Sequence, residues 1–451
     1  MDAKSDEDEG SLTGGNSPQG PCFVDHPLRS ALIEEVHARP FATLEPPVQA
    51  SHLALVSGEY GAAADFAHLV RLCQRYDISS PTEGSKHFTC DFGAFRLKWE
   101  RHGEFCTYTF SCPSSLEQRF LNPAILSVPS DWLEGLPGER LVAIHVAVEP
   151  RNRPPPCAAD LAAIFRYETV SGSRVFGGAA LTWTDFAVHG DGFGRILVQD
   201  IGLDHFEAGR LVQRLLEMET YRMMALLALP LVQEHGPQIN LVEEETANIA
   251  RSLSNIVGLE DTRALLTRLA RLSADVEGIT ARLSYRFDAT RAYFALVRRR
   301  IERLREERLE GLQTIEEFME RRLAPAMQTC ETAARRLESL SRRLARASDL
   351  LRTQVDVALQ EQNRDLLLSM DRRARLQSRL QRTLEVISIV ALTYYLAVLL
   401  ATVLTAVKTA GFPVNVELIT GAATPFLFAI IWLGVRWTRK NVVRRHEKDL
   451  G

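Results

Sequence analysis

The densest group of chemically capable side chains lies near the N-terminus, in Glu34-Glu35-Val36-His37-Ala38-Arg39-Pro40. A carboxylate, an imidazole and a guanidinium within one helical turn can bind an anion or shuttle a proton. The same spacing has a structural reading: Glu35 and Arg39 pair at i,i+4, and His37 sits near the negative end of a helix that stops before Pro40. No nucleophile stands beside them in sequence, so the structural reading is preferred and no catalytic residue is assigned.

A second polar group, Asp185, His189, Asp191 and Asp200, surrounds a glycine-rich turn. Its residue types suit a metal, but one histidine among hairpin aspartates reads better as turn chemistry, and no metal is assigned. Gly172 with Gly177-Gly178 lacks the Lys-Ser/Thr of a phosphate-binding loop and fails the dinucleotide pattern. The pair is read as a β-bulge. Seven cysteines with no Cys-x-x-Cys spacing indicate reduced thiols and neither a zinc site nor a disulfide framework. No cofactor is implied.

A further candidate lies near the C-terminus. Ser388, Tyr395, Thr402 and Thr405 share one face of an apolar helix. A polar stripe inside lipid needs partners, either across a helix interface or along a wet lumen, and the interface is preferred.

The elements that must position these residues follow from periodicity. Residues 1–22 are acidic and Gly/Ser-rich, with too little apolar content to order. A helix is predicted over Leu28–Ala38, a strand over Val48–Ser57 and a helix over Gly61–Tyr76. Strands follow at His87–Phe92, Phe95–Arg101 and Glu104–Cys112. Arg140–Val148 is apolar on both faces and is predicted to be central. A helix is predicted from Ala158. Arg174–His189, broken at Gly177-Gly178, turns at Gly190-Asp191-Gly192 into Phe193–Gln199. A helix over Glu207–Leu229 is stopped by Pro230. Residues 23–235 therefore read as one α+β domain with a mostly antiparallel or mixed sheet.

Residues 238–385 read as an antiparallel coiled-coil stalk broken near Pro325. Its seams are Leu265, Leu269, Leu272, Val276, Ile279 and Leu283, then Leu337, Leu340, Leu344 and Leu351. Residues 386–407 and 418–437 are two apolar helices that form a transmembrane hairpin around a short outer loop, 408–417, with a basic tail at 438–451. The fold class is thus an α+β domain, a long helical stalk and a two-helix membrane hairpin.

A formal charge of -4 covers an uneven distribution. Arg372, Arg373, Arg375, Arg379 and Arg382 precede the first span, and Arg436, Arg439 and Lys440 begin the cluster after the second. The loop carries only Lys408. This places both termini in the cytoplasm, as in a multi-pass protein of a bacterial inner membrane. The clusters suit anionic lipid headgroups rather than nucleic acid.

His26-Pro27-Leu28-Arg29, the run from Glu35 to Pro40, Gly177-Gly178-Ala179, Thr184-Asp185-Phe186, Asp191-Gly192-Phe193 and the run Gln213–Met223 resemble a family of uncharacterised bacterial proteins, predicted to be membrane-anchored and built on a domain of unknown function. The resemblance implies a cytoplasmic domain, a coiled coil and C-terminal membrane segments, and no activity. The overall plan is also similar to that of the CorA-type magnesium channels. Their Gly-Met-Asn outer-loop signature is absent from Gly411-Phe412-Pro413-Val414-Asn415, so Mg²⁺ or another cation is implied only through that looser likeness. The expected function is a non-enzymatic, membrane-anchored, self-associating scaffold or regulatory protein with a cytoplasmic partner. A CorA-like oligomeric channel is the alternative, and a membrane-tethered enzyme the third reading.

Overall fold

The computed structural model describes residues 25–29, 32–33, 41–58, 61–114, 119–165, 170–253, 258–410 and 415–448. In chain order the elements are β1 (Val48–Val56), α1 (Ala62–Arg75), β2 (His87–Asp91), β3 (Arg96–Arg101), β4 (Phe105–Pro113), α2 (Ser130–Glu134), β5 (Glu139–Glu149), α3 (Ala158–Ile164), β6 (Ser171–Val175), β7 (Ala180–Thr184) and β8 (Gly194–Asp200). Then come α4 (His205–Leu226), α5 (Ala228–Ser252), α6 (Leu259–Leu304), β9 (Glu307–Arg308), α7 (Ile315–Thr409) and α8 (Val416–Lys448). The chain divides into two compact units, one of residues 1–251 with 270–345 and one of residues 252–269 with 346–451.

The first unit is built on one mixed sheet of order β2-β3-β4-β1-β5-β8-β7-β6-β9. β5 and β8 run parallel and every other neighbouring pair is antiparallel. Strand periodicity divides the side chains into two layers. Leu53, Leu97, Trp99, Tyr108 and Phe110 point to one face, where α1 supplies Leu69 and Leu72. Ala50, Ile144, Val146, Ile196 and Val198 point to the other, against Leu211 and Leu215 of α4. β5 lies between β1 and β8 with apolar residues on both faces, as its sequence predicts.

Four local expectations are corrected. Gly177-Gly178 is a tight turn between β6 and β7 rather than a bulge, with positive φ at Phe176, Gly177 and Gly178. Phe186 also has positive φ, which ends β7 at Thr184 and lengthens the loop before β8. The helix expected to run to Leu229 before Pro230 ends at Leu226, the residue whose carbonyl Pro230 cannot bond. Pro230 itself falls in the first turn of α5, where backbone N–H groups have no intrahelical acceptor to lose. The long helices are not joined near Pro325 either. α6 ends at Leu304, residues 305–314 turn with positive φ at Arg305 and Gly311, and β9 adds to the sheet edge. Pro325 lies inside α7 on its exposed side, where water can meet the carbonyl it frees.

α6 returns along α4 in the opposite direction. Arg303 O accepts from Arg214, Arg300 pairs with Glu217, the Tyr293 and Tyr221 rings stack, and Thr290 donates to Ala225 O. Arg286 and Tyr293 then clamp the buried Glu104 carboxylate at the start of β4, with contacts of 2.6–3.2 Å. The α+β unit therefore draws part of its core and one edge strand from residues beyond 235.

In the second unit, Leu265 and Leu269 of α6 and Leu351 of α7 are buried. Beyond them every residue from 356 to 384 is exposed. α7 continues without interruption into the first apolar run, and α8 carries the second. Both are long and apolar enough to cross a membrane, and they leave Val390, Leu399, Phe426 and Ile430 exposed.

Candidate functional site

The sheet face beneath α4 is not filled by apolar side chains along its whole length. In β3 the sequence Arg96-Leu97-Lys98-Trp99-Glu100 alternates, and in β4 so does Thr107-Tyr108-Thr109-Phe110-Ser111. Leu97, Trp99, Tyr108 and Phe110 occupy the α1 face, so Arg96, Lys98, Glu100, Thr107, Thr109 and Ser111 must share the other. They line an open cavity of about 280 Å³, closed above by α4 and the end of α6.

Its wall on the α4 side comes from Val212, Gln213, Arg214, Leu216, Glu217 and Thr220, and Arg300 and Arg303 of α6 reach its rim. Asp204 caps α4, its carboxylate accepting from Glu207 N at 2.6 Å. Phe41, Ala42 and Leu44 close one side. Gly209 allows this approach: a Cβ there would lie 1.7 Å from Ala42 O. Leu44 N donates to His205 O at 3.1 Å, tying the segment to the same helix.

The polar groups form a chain. Lys98 Nζ reaches Glu100 at 3.1 Å and Gln213 Oε1 at 3.0 Å. Gln213 Nε2 donates to Glu217 at 2.7 Å, and Glu217 also pairs with Arg300. Arg214 donates to Arg303 O at 3.0 Å, and its guanidinium lies 4.7 Å from the Phe176 ring centre. Burial, reinforced by Arg303, Arg210 and Arg300, holds the Arg214 pKa below its ordinary value. At the cavity floor His52 contacts Thr109 Oγ1 at 2.8 Å and Thr220 Oγ1 at 3.1 Å. Burial first, then the charges of His102 and Lys98, lower its pKa to about 3, so it is neutral at pH 7. This set offers hydroxyls, a neutral imidazole and an excess of guanidinium groups around an accessible space.

The residues singled out from sequence fall elsewhere or cannot be placed. Glu35, His37, Arg39 and Pro40 lie outside the described residues. Asp185 accepts from Ala187 N at 3.1 Å and pairs with His189 Nε2 at 3.1 Å, both side chains being buried. Asp191 accepts from Phe193 N at 3.0 Å, and Asp200 from Leu203 N at 2.8 Å. These aspartates hold turns, and among the described residues no three His, Cys, Asp or Glu side chains gather as metal ligands would.

Ser388, Tyr395, Thr402 and Thr405 are exposed, whereas Ile389 and Thr393 are the buried positions of the first apolar run. Thr402 donates to Val398 O and Thr405 to Ala401 O, each at 2.7 Å, so both hydroxyls find acceptors within their own helix. The described cysteines are all free. Sequence reading missed the cavity, although its signal was present: the polar half of the alternation in β3 and β4.

Fold and cavity together define an α+β protein with a long helical extension ending in two helices apolar enough for a membrane. Residues 24–442 match the family described as protein of unknown function (DUF3422), and the chain belongs to that family. The run Gln213–Met223, which carries much of the resemblance noted above, is the α4 wall of the cavity. No curated protein and no solved structure matches the chain, and the looser likeness to CorA-type channels gains no support.

Proposed function

We propose that this chain is a non-enzymatic, membrane-anchored protein that self-associates through its helical stalk and presents its α+β body to a cytoplasmic partner. The observation that carries this reading is the exposed stretch of α7. Leu359, Leu366 and Met370 recur at helical spacing, as do Leu376, Leu380 and Leu384 after a step of six, and each is exposed between 39% and 66%. An isolated helix with such a stripe is marginal in water, and laying it against a second copy removes the stripe from solvent. The arginines from Arg372 to Arg382 flank the first apolar run and suit anionic headgroups, with both termini on the cytoplasmic side of a bacterial inner membrane.

Light scattering of the full chain in a mild non-ionic detergent tests this reading. The wild type is expected as an oligomer, and Leu366→Glu with Leu380→Glu as a smaller species with the same thermal stability of the α+β body. A monomeric wild type refutes self-association. A second reading, an oligomeric two-span channel, draws on the exposure of Ser388, Tyr395, Thr402 and Thr405, a face free to line an oligomer axis. That reading requires cation flux in liposomes that Thr402→Leu blocks. Flux equal to that of protein-free liposomes removes it.

A further inference from the structure

We propose that the cavity between β1, β3, β4 and the α4–α6 pair is a binding site for a small organic anion, a carboxylate or phosphate carried on an apolar body. The inference rests on the first unit alone and stands or falls independently of self-association.

Charge balance is the first argument. Arg96, Lys98, Arg214, Arg300 and Arg303 line the cavity against two carboxylates, Glu100 and Glu217. Both carboxylates are engaged, Glu100 by Lys98 and Glu217 by Gln213 and Arg300. Among the described residues, Arg96, Arg214 and Arg303 form no ion pair within 4 Å, although Glu217 lies close enough to act on the Arg214 charge. Guanidinium groups crowded at a partly buried surface repel one another and lose hydration, a cost that a bound anion reverses. Burial first, and then the neighbouring guanidiniums, lowers the Arg214 pKa.

Geometry is the second. Arg214 donates one N–H to the main-chain carbonyl of Arg303, and both side chains line the cavity, so an anionic group there can take charge-assisted hydrogen bonds from their remaining N–H groups. Phe41, Leu44, Phe105, Val212 and Leu216 supply an apolar lining. A cavity of about 280 Å³ fits a ring or short chain with its headgroup. Ser111, on the same sheet face, adds a hydroxyl donor along the floor, while the Thr107 hydroxyl donates to Glu100 O at 3.4 Å. His52 is neutral and already bonded to two threonines, so the arginines supply the positive charge.

The test uses the full chain in non-ionic detergent with four ring probes: benzoate, phenyl phosphate, neutral benzyl alcohol and cationic benzylamine. Binding is read by calorimetry and by the shift in Tm. The expected result is that both anions bind and raise Tm while the alcohol and the amine do neither. Arg303→Gln, an exposed side chain whose loss leaves the core intact, should weaken anion binding by about tenfold or more, and Arg214→Gln similarly. Arg342→Gln, a change at an exposed pair with Glu338 on α7, should leave it unchanged. Equal binding of alcohol and anions would reduce the site to an apolar crevice and overturn the proposal. So would anion binding indifferent to Arg303→Gln, or none at millimolar concentration to the folded wild type.

Discussion

Acidification should weaken the α+β unit well before its carboxylates titrate, because two buried histidines are held neutral. His52 is lowered to about 3 by burial, then by His102 and Lys98. His145, stacked on Phe193 and bonded to Ser51 Oγ at 2.9 Å, is lowered to about 4, chiefly by burial. In the unfolded chain each takes a proton near pH 6.5. A depressed histidine pKa therefore contributes stability above pH 6.5 that is lost as pH falls towards the folded value. At pH 5 the loss is about 2 kcal/mol for each histidine, or about 4 kcal/mol for both relative to pH 7.5.

Glu306 works the other way. Burial raises its pKa, so its contribution grows as pH falls, and a comparison of variants removes it. Urea unfolding of the full chain in detergent, followed through the buried Trp99, Trp132 and Trp183, supplies the measurement. His52→Gln should reduce the difference between pH 7.5 and pH 5 by about 2 kcal/mol. An identical pH dependence in wild type and variant would refute the assignment of His52 as a neutral buried group.

Two further changes probe how the helices are bound to the sheet. Arg286→Met leaves the buried Glu104 carboxylate with Tyr293 alone and should cost about 3 kcal/mol in urea unfolding, with the added change Glu104→Gln recovering part of the loss; a neutral single variant would show that the pair contributes nothing. Gly209→Ala should gain about 1 kcal/mol from helix propensity yet be destabilised overall by about 1–3 kcal/mol, because the new methyl meets Ala42 O; a net gain would show that residues 41–44 move aside freely.

The sequence by itself determined the elements. Strand and helix periods are local, so β1 to β5 and α1 can be read within a residue or two of their ends and α4 within three, as can the central place of β5 and the two apolar runs. Heptad-spaced leucines likewise announced which side of α6 and α7 is buried. Periodicity reports that a face is covered and not what covers it. That is why the polar side of β3 and β4 carries no sign in the sequence that α4 and the end of α6 roof it.

Other features were decided only by tertiary structure. Proline was overridden where its cost disappears, as at Pro325 on the exposed side of α7. The turn at 305–314 took the junction instead, where β9 gains a sheet edge. Glu104 and Arg286 lie 182 positions apart, and Arg214 and Arg303 lie 89 apart. No local pattern joins such residues; the antiparallel run of α6 along α4 does, and it makes scattered arginines into the wall of one cavity.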